Sequence, residues 1–116
     1  MANVNKWEIY FCSLDPVVGS EQRGTRPVLV ISTDAVNRNL PVSTVLPLSS
    51  IEPGDKIYPT EIMLDTGITG LPKLSVAMVH QIRTVSHNRL IKLAGRITDA
   101  QTKINILEAC RNYFDL

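Results

Sequence analysis

The stretch TRPVLVI (residues 25–31) decides how this chain folds. From Pro27 to Ile31 it forms a nearly unbroken apolar run of strand length, which is typical of a central strand buried on both faces. Pro27 stands at the very start of the run, where a proline is tolerated because the ladder does not yet need its missing N–H. The polar residues that follow, 32–39, are predicted to hold one short helical turn.

Other segments with the composition of strands lie on both sides of this run. They are rich in β-branched and aromatic residues and are separated by Gly and Pro turns: 8–14, 43–48, 60–64, 75–85 as one long or two short strands, and 90–95. A long loop covers 49–59 and a turn covers 67–72. Strands and helices do not alternate, which argues against a doubly wound fold. We predict a mostly β (α+β) fold of five to seven short strands.

Only the end of the chain has a helical pattern. Residues 98–101 (TDAQ) fit a capping box, in which the Thr98 hydroxyl caps the helix and Gln101 reaches back. One stripe with spacings of three and four is expected to lie against the sheet, with Arg111 as its only polar member: Ile104, Leu107, Cys110, Arg111 and Phe114.

Length and composition exclude several classes of protein. The chain has 116 residues and a formal charge of +1, so we predict one domain, residues 1–116, that is neither a basic coat protein nor an acidic disordered tail. We find no membrane span and no signal sequence, and two cysteines are too few for a disulfide scaffold or a Cys-rich metal site. These features favour a cytoplasmic protein with reduced thiols.

Charge is distributed unevenly along the chain. Residues 66–98 contain five basic side chains, Lys73, Arg83, Arg89, Lys92 and Arg96, and no acidic one. They would attract a phosphate backbone if they shared one face. Alternatively, they lie on different faces of a sheet and never cluster.

The loop before the central strand is the strongest candidate for a functional site. Motifs for phosphate loops, dinucleotide binding, zinc proteases and serine hydrolases are absent. In residues 18–27 (VGSEQRGTRP), Gly19 and Gly24 instead lie on either side of the Glu21 carboxylate, and Arg26 stands at the start of the strand. A guanidinium there can bind two phosphate oxygens at once. The alternative is a salt bridge between Glu21 and Arg26 that only closes the loop.

The same loop carries a family resemblance. GSEQ (19–22), Gly24 and RPVLVI (26–31) resemble the signature of the MazF/PemK toxin endoribonucleases, and LPLS (46–49) and QIRT (81–84) agree in order and spacing. The resemblance covers nearly the whole chain. It implies an SH3-like small β-barrel with a C-terminal helix, a homodimer, and a cognate antitoxin. It also implies sequence-selective, metal-independent cleavage of single-stranded RNA by 2′-OH attack, without cofactors, leaving 2′,3′-cyclic phosphate and 5′-OH ends.

The resemblance also implies roles for individual residues. Arg26 and a hydroxyl at the end of the third strand act on the phosphate, and this chain has Ser49 where relatives often have Thr. Glu21 orients Arg26 or accepts a proton, or else caps loop amides. Ser20 and Gln22 are expected to shape the loop so that its backbone amides face the phosphates of RNA, and Gln81 and Arg83 to contact bases or phosphates. Arg23 and Lys56 either contact phosphates or are solvated surface charges. No metal ligand is expected.

Two departures and two alternatives remain open. Trp7 stands where the family usually has glycine and either covers a barrel end or stacks a base, and His80 replaces a usual acid. On the same fold, CcdB-like toxins bind gyrase and cut nothing, through a C-terminal tryptophan that this chain lacks. A catalytically inactive RNA-binding barrel is the other alternative.

Overall fold

The computed structural model describes residues 3–116, so Met1 and Ala2 of the predicted 1–116 domain lie outside the described residues. The strands are β1 (Glu8–Ser13), β2 (Thr25–Val30), β3 (Val42–Ser50), β4 (Glu61–Leu64), β5 (Ser75–Met78), β6 (Arg83–Ser86) and β7 (Leu90–Arg96). The helices are α1 (Asp34–Asn39), α2 (Thr66–Thr69) and α3 (Ala100–Phe114), and 3₁₀ turns cover Val79–Gln81 and His87–Arg89. The predicted strands are confirmed, 75–85 forms two of them, and α2 replaces part of a predicted turn.

The seven strands form one antiparallel sheet in the order β4-β5-β3-β2-β1-β7, with β6 also paired to β3. The length of β3 allows this arrangement, because its residues 42–45 pair with β6 and its residues 48–50 pair with β5. No pairing joins β4 to β7 within residues 3–116, so the sheet is open there. The mostly β fold with a C-terminal helix is confirmed, and its strand order is compatible with an SH3-like barrel.

Strand β2 runs through the middle of the core. Val28, Leu29 and Val30 are each 0% exposed, which confirms the prediction of a strand buried on both faces. Leu29 belongs to the apolar cluster that includes Ile106 of α3, whereas Val28 and Val30 belong to a second cluster with Leu14. Residues 28–30 are therefore covered on both sides, and the strand that follows the loop is anchored in the core.

The predicted cap of α3 is wrong by one residue. Asp99, not Thr98, is the N-cap: its Oδ2 accepts hydrogen bonds from the Thr102 N–H at 2.9 Å and the Thr102 hydroxyl at 2.7 Å. These bonds lower the pKa of the Asp99 carboxyl. A carboxylate suits this position because it also interacts favourably with the positive end of the helix dipole. Gln101 donates to Asn105 instead of reaching back.

Of the predicted buried stripe of α3, only Cys110 packs against the core. Ile106 is fully buried and Ala109 and Cys110 pack beside it, whereas Ile104 and Phe114 remain 50% and 52% exposed. The small side chains at 109 and 110 let the helix approach the sheet, and this selects the buried face. Apolar spacing identified the helix but not the face that it turns to the core.

Neither cysteine is in a disulfide: Cys12 is buried and Cys110 is half-buried. Burial raises the pKa of both thiols. Within residues 3–116 no helix is long and apolar enough to cross a membrane.

Trp7 closes one end of the core. Its backbone has φ = +75°, a conformation that glycine adopts without cost, which gives a physical reason for the glycine of the related family. The half-buried indole packs against the cluster beneath α3. The ammonium groups of Lys6 and Lys103 lie 5.3 and 5.7 Å from its ring centroid. The structure therefore favours the interpretation that Trp7 covers a barrel end.

Next to Trp7, Glu8 is a buried carboxylate with three hydrogen-bond donors. Its Oε1 accepts from the Asn5 N–H at 2.7 Å and the Tyr10 hydroxyl at 2.9 Å, and its Oε2 accepts from Arg96 at 2.9 Å. Burial opposes ionisation, but these bonds outweigh it and the pKa of Glu8 falls below its ordinary value of 4.5. Burial and the Glu8 contact raise the pKa of Tyr10 to about 12.

Glu8 should therefore stabilise the fold in a pH-dependent way. Because its pKa is lower in the folded chain, its contribution is complete well above pH 4.5 and is lost as pH falls through the folded value. Glu8→Gln should cost about 1–3 kcal/mol of unfolding free energy at pH 7. Urea unfolding of both proteins from pH 7 to 3 should show this difference shrinking below pH 4.5. Glu108→Gln, on the exposed side of α3, is the control and should change little at pH 7; a pH-independent Glu8 difference would contradict the prediction.

Candidate functional site

A cleft of about 450 Å³ opens where the loop between β1 and β2 meets β3 and the segment before β5. Its lining combines three cationic side chains, Arg23, Arg26 and Lys73, with the apolar side chains of Phe11 and Pro72. The described lining contains no acidic residue. Such a cleft suits a ligand with negative charges and flat apolar groups.

Arg26 and Ser49 meet beside this cleft. Arg26 lies on β2 opposite Cys12 of β1, and Ser49 lies near the end of β3. The Arg26 Nε donates to the Arg23 carbonyl at 2.9 Å, and its Nη1 lies 3.5 Å from the Ser49 Oγ. These two bonds leave further guanidinium N–H donors for a ligand. Paired strands therefore bring together the two residues that the sequence predicted for the reaction.

Glu21 belongs to the loop itself, which we call the β1–β2 loop (residues 14–24). Its Oε1 accepts a hydrogen bond from the Val18 N–H at 2.6 Å. Within residues 3–116 it forms no ion pair with Arg26, so the alternative of a loop-closing salt bridge is wrong. Arg26 is oriented by the Arg23 carbonyl instead. The position of Glu21 fits its third predicted role, the capping of loop amides.

Gln81 holds the tip of the β1–β2 loop. Its side-chain Oε1 accepts from the Gln22 N–H, and its Nε2 donates to the Ser20 carbonyl, both at 3.1 Å. Sequence reasoning assigned all three residues to RNA contacts, and the structure places them together. In this arrangement both ends of the Gln81 amide bind the loop. Among the described residues, 3–116, none donates a hydrogen bond to the buried side-chain Oε1 of Gln22.

The other predicted RNA contacts lie in different places. Arg23 lines the cleft and donates to the Gly19 carbonyl at 2.8 Å. Arg83 donates to the Leu14 carbonyl at 3.1 Å, so it supports the β1–β2 loop from behind. Lys56 lies in the loop between β3 and β4, with its ammonium 5.0 Å from the Tyr58 ring centroid, and is not part of the cleft lining.

The five basic residues of the segment 66–98 do not share one face. Lys73 lines the cleft, Arg83 and Arg89 bind backbone carbonyls of residues 13–15, Arg96 pairs with Glu8, and Lys92 is exposed on β7. The five residues therefore do not form one positive surface, but Arg83 and Arg89 do lie together, so the alternative that they never cluster is correct only in part. The positive charge of the cleft comes instead from Arg23 and Arg26 together with Lys73.

Sequence reasoning missed Phe11 and Lys73 as parts of the cleft. Lys73 was counted among the basic residues, but nothing in the local sequence distinguishes it from Lys92. Phe11 sits in a strand where an apolar residue is expected to be core, yet it is half-buried beside Arg26. His80 is exposed and hydrogen-bonds through Nδ1 to the Thr60 hydroxyl at 2.8 Å, away from the cleft lining.

Comparison with known proteins identifies the family. Residues 5–112 match the family model described as PemK-like, MazF-like toxin of type II toxin–antitoxin system. The chain belongs to this family. It is 41% identical over 96 residues to Endoribonuclease EndoA of Bacillus subtilis (strain 168), covering 83% of this chain and 82% of that protein.

Superposition on solved structures of MazF-like toxins agrees with this family assignment. The Mycobacterium tuberculosis toxin MazF-mt6 superimposes with a TM-score of 0.75 at 28% identity, covering 94% of this chain and 97% of that one. An endoribonuclease in complex with its cognate antitoxin, from Mycobacterial species, superimposes with a TM-score of 0.76 at 21% identity, covering 100% and 97%. The second comparison concerns the fold alone. The predicted MazF/PemK resemblance is confirmed.

Proposed function

We propose that this chain is the toxin of a type II toxin–antitoxin system and cleaves single-stranded RNA, including mRNA, at selected sequences without a metal ion. Its family and its relatives, which are endoribonucleases by name, support the activity. The observation that carries the proposal at this site is the Arg26–Ser49 pair beside a cationic cleft.

The arrangement suits transfer of a phosphoryl group within the RNA. The ribose 2′-OH gives its proton to water and its oxygen attacks the adjacent phosphorus, the bond from phosphorus to the 5′-oxygen breaks, and the 5′-oxygen takes a proton from water. The products are a 2′,3′-cyclic phosphate and a 5′-OH end. Arg26 donates its free N–H groups to the phosphate oxygens as their charge increases, since a guanidinium is a hydrogen-bond donor without an acceptor and so stabilises negative charge rather than taking a proton.

Ser49 and Lys73 complete this proposal. The Ser49 hydroxyl lies 3.5 Å from the Arg26 Nη1, so a phosphate bound to Arg26 would place one of its oxygens, or the leaving oxygen, within reach of this hydroxyl. Lys73 and Arg23 can bind neighbouring phosphates, and Phe11 offers a surface for an unpaired base. Glu21 then acts by holding the β1–β2 loop rather than by taking a proton.

We also propose the assembly and setting of the toxin. Residues 1–116 form one domain that works as a homodimer in the cytoplasm and is restrained by a cognate antitoxin protein. The complex reported for the mycobacterial endoribonuclease supports the antitoxin. Large apolar side chains remain exposed on β7 (Ile91 and Leu93) and on α3 (Ile104 and Phe114), and association would cover such surfaces.

RNA cleavage in EDTA tests the proposal directly. The purified protein is incubated with a long RNA that has paired and unpaired regions, and the new 5′ ends are mapped. We expect discrete cuts in unpaired regions with 5′-OH ends, and no cut where the 2′-OH at the cleavage position is replaced by hydrogen. An intact RNA with a folded protein would contradict the proposal and favour the gyrase-binding or inactive RNA-binding alternatives.

A further inference from the structure

Two arginine side chains donate hydrogen bonds to three consecutive backbone carbonyls where β1 ends and the β1–β2 loop begins. Arg83 Nη1 donates to the Leu14 carbonyl at 3.1 Å. Arg89 Nη1 donates to the Ser13 carbonyl at 3.2 Å and also to the Asp15 carbonyl. Both arginines are half-buried, and within residues 3–116 neither forms an ion pair with an acidic side chain. The two guanidinium groups therefore interact with the backbone of residues 13–15 rather than with a carboxylate.

Residues 13–15 are connected to Arg26 by hydrogen bonds at the base of the β1–β2 loop. The Leu14 N–H donates to the Gly24 carbonyl at 3.0 Å, and the Gly24 N–H donates to the Asp15 Oδ1 at 3.1 Å. The residue before Gly24 supplies the carbonyl that orients Arg26. Movement of residues 13–15 would thus move the acceptor that holds the Arg26 guanidinium.

The same arginines lie close to the strand pair that carries Arg26. Cys12 is the β1 residue directly opposite Arg26, and the positive charges of Arg83 and Arg89 partly offset the effect of burial on the Cys12 pKa. The two arginines come from β6 and from the 3₁₀ turn His87–Arg89, which are both distant from the loop in sequence. Only the folded sheet brings them behind it.

The β1–β2 loop needs support from outside. It is polar and largely exposed, and Gly19 and Gly24 adopt positive φ. Within residues 3–116 it also contains the buried Gln22 Oε1, which accepts no hydrogen bond and therefore destabilises the loop. Hydrogen bonds from charged donors are stronger than those between neutral groups, so the bonds from Arg83 and Arg89 can offset this cost.

We propose that Arg89, together with Arg83, is a positioning residue for the RNA-cleaving reaction: it holds residues 13–15 so that the β1–β2 loop presents Arg26 correctly. This inference rests on the proposed function. It assigns to Arg83 a role behind the loop in place of the RNA contact expected from the sequence, and it gives Arg89 a role that no sequence motif indicated. Neither guanidinium needs to touch RNA.

Arg89→Met and Arg89→Lys test the proposal, with Lys92→Met as the matched control. Lys92 is exposed on β7 and has no hydrogen bond to the loop, so its variant loses the same charge only. Single-turnover cleavage is measured beside the Kd for an RNA that lacks the attacking 2′-OH. We expect Arg89→Met to slow cleavage by on the order of 10–100-fold with a nearly unchanged Kd, Arg89→Lys to restore part of the rate, and Lys92→Met to cleave normally.

Salt dependence separates positioning from phosphate binding. If Arg89 contacted a phosphate, Arg89→Met would weaken RNA binding and lower the slope of log K against log salt by about 1. An unchanged slope with slower cleavage supports the proposal, whereas a lower slope with weaker binding overturns it. Cleavage at the wild-type rate by Arg89→Met overturns it as well. Should Arg89→Met fail to fold, Arg89→Lys and Arg83→Lys are measured by the same criteria.

Amide hydrogen exchange distinguishes a failure of this inference from a failure of the proposed function. In Arg89→Met the Leu14 and Gly24 amides should exchange faster, while the Leu29 amide in the core should not. This comparison does not depend on RNA cleavage. If the wild-type protein cleaves no RNA, the proposed function fails, and unchanged exchange at Leu14 and Gly24 would overturn the positioning role separately.

Discussion

Arg26→Ala should lower the rate of RNA cleavage by about 10²–10³-fold while the protein still folds and binds RNA. The guanidinium is held by the Arg23 carbonyl and faces Ser49, so its donors are aimed in advance at a bound phosphate. Removing an aimed donor costs most where charge increases during the reaction. Arg23 and Lys73 remain in the cleft to attract RNA, so we expect a modest change in Kd. Single-turnover cleavage and binding of an uncleavable RNA measure the two effects separately.

Arg38→Ala is the matched control for this prediction. Arg38 lies exposed on α1, away from the cleft lining, and the variant loses the same charge. It should cleave as fast as the wild-type protein. Arg26→Lys should remain strongly impaired, because lysine keeps the charge but lacks the planar fork that binds two oxygens. An Arg26→Ala protein as fast as Arg38→Ala would remove Arg26 from the site.

Gly95→Ala should lower the free energy of unfolding by about 3 kcal/mol or more and the Tm by about 10–20 °C. Gly95 lies on β7 opposite Ile9, and a Cβ at this position would lie 2.2 Å from the Thr69 carbonyl oxygen at the end of α2. That neighbour is backbone, and Thr69 is itself buried, so neither β7 nor α2 can yield by turning a flexible side chain. Urea and thermal unfolding measure the loss.

Gly67→Ala, in the neighbouring helix α2, should raise the free energy of unfolding instead of lowering it. Gly67 lies within α2, its φ is not positive, and an added Cβ would have no heavy atom within 4 Å. Alanine there reduces the freedom of the unfolded chain and should stabilise the fold by about 0.4–1 kcal/mol. If the free energies of unfolding of the Gly95→Ala and Gly67→Ala proteins differed by less than about 1 kcal/mol, the close approach of β7 and α2 would be contradicted.

Much of the fold follows from local patterns. The run that ends at Ile31 is a central strand because its side chains are all apolar, so neither face of the strand suits contact with water. The other strands are separated by turn residues that interrupt the hydrogen-bond ladder. The helix α3 was also predictable, but its buried face was not, because Ile106 rather than Ile104 is selected by how closely Ala109 and Cys110 let the helix approach the sheet.

The candidate site divides in the same way. Arg26 and the β1–β2 loop were predicted from one motif, because the loop and the start of β2 are contiguous in sequence, whereas Ser49 was predicted from the family resemblance of LPLS (46–49). The structure adds that Glu21 caps the loop and does not pair with Arg26. It also adds that Gln81 uses both ends of its amide on the loop.

The strand-rich fold with its C-terminal helix, the family, and the arginine at the start of β2 could all be predicted from the amino-acid sequence. The sequence did not indicate which basic residues line the cleft and which bind the loop backbone, because this depends on contacts in the folded chain. Lys73, Arg83 and Arg89 carry the same charge in one acid-free segment, and their local sequences do not separate them. Their roles depend on how β5 and β6 pair with β3 and how β7 pairs with β1, and these pairings join residues far apart in the chain.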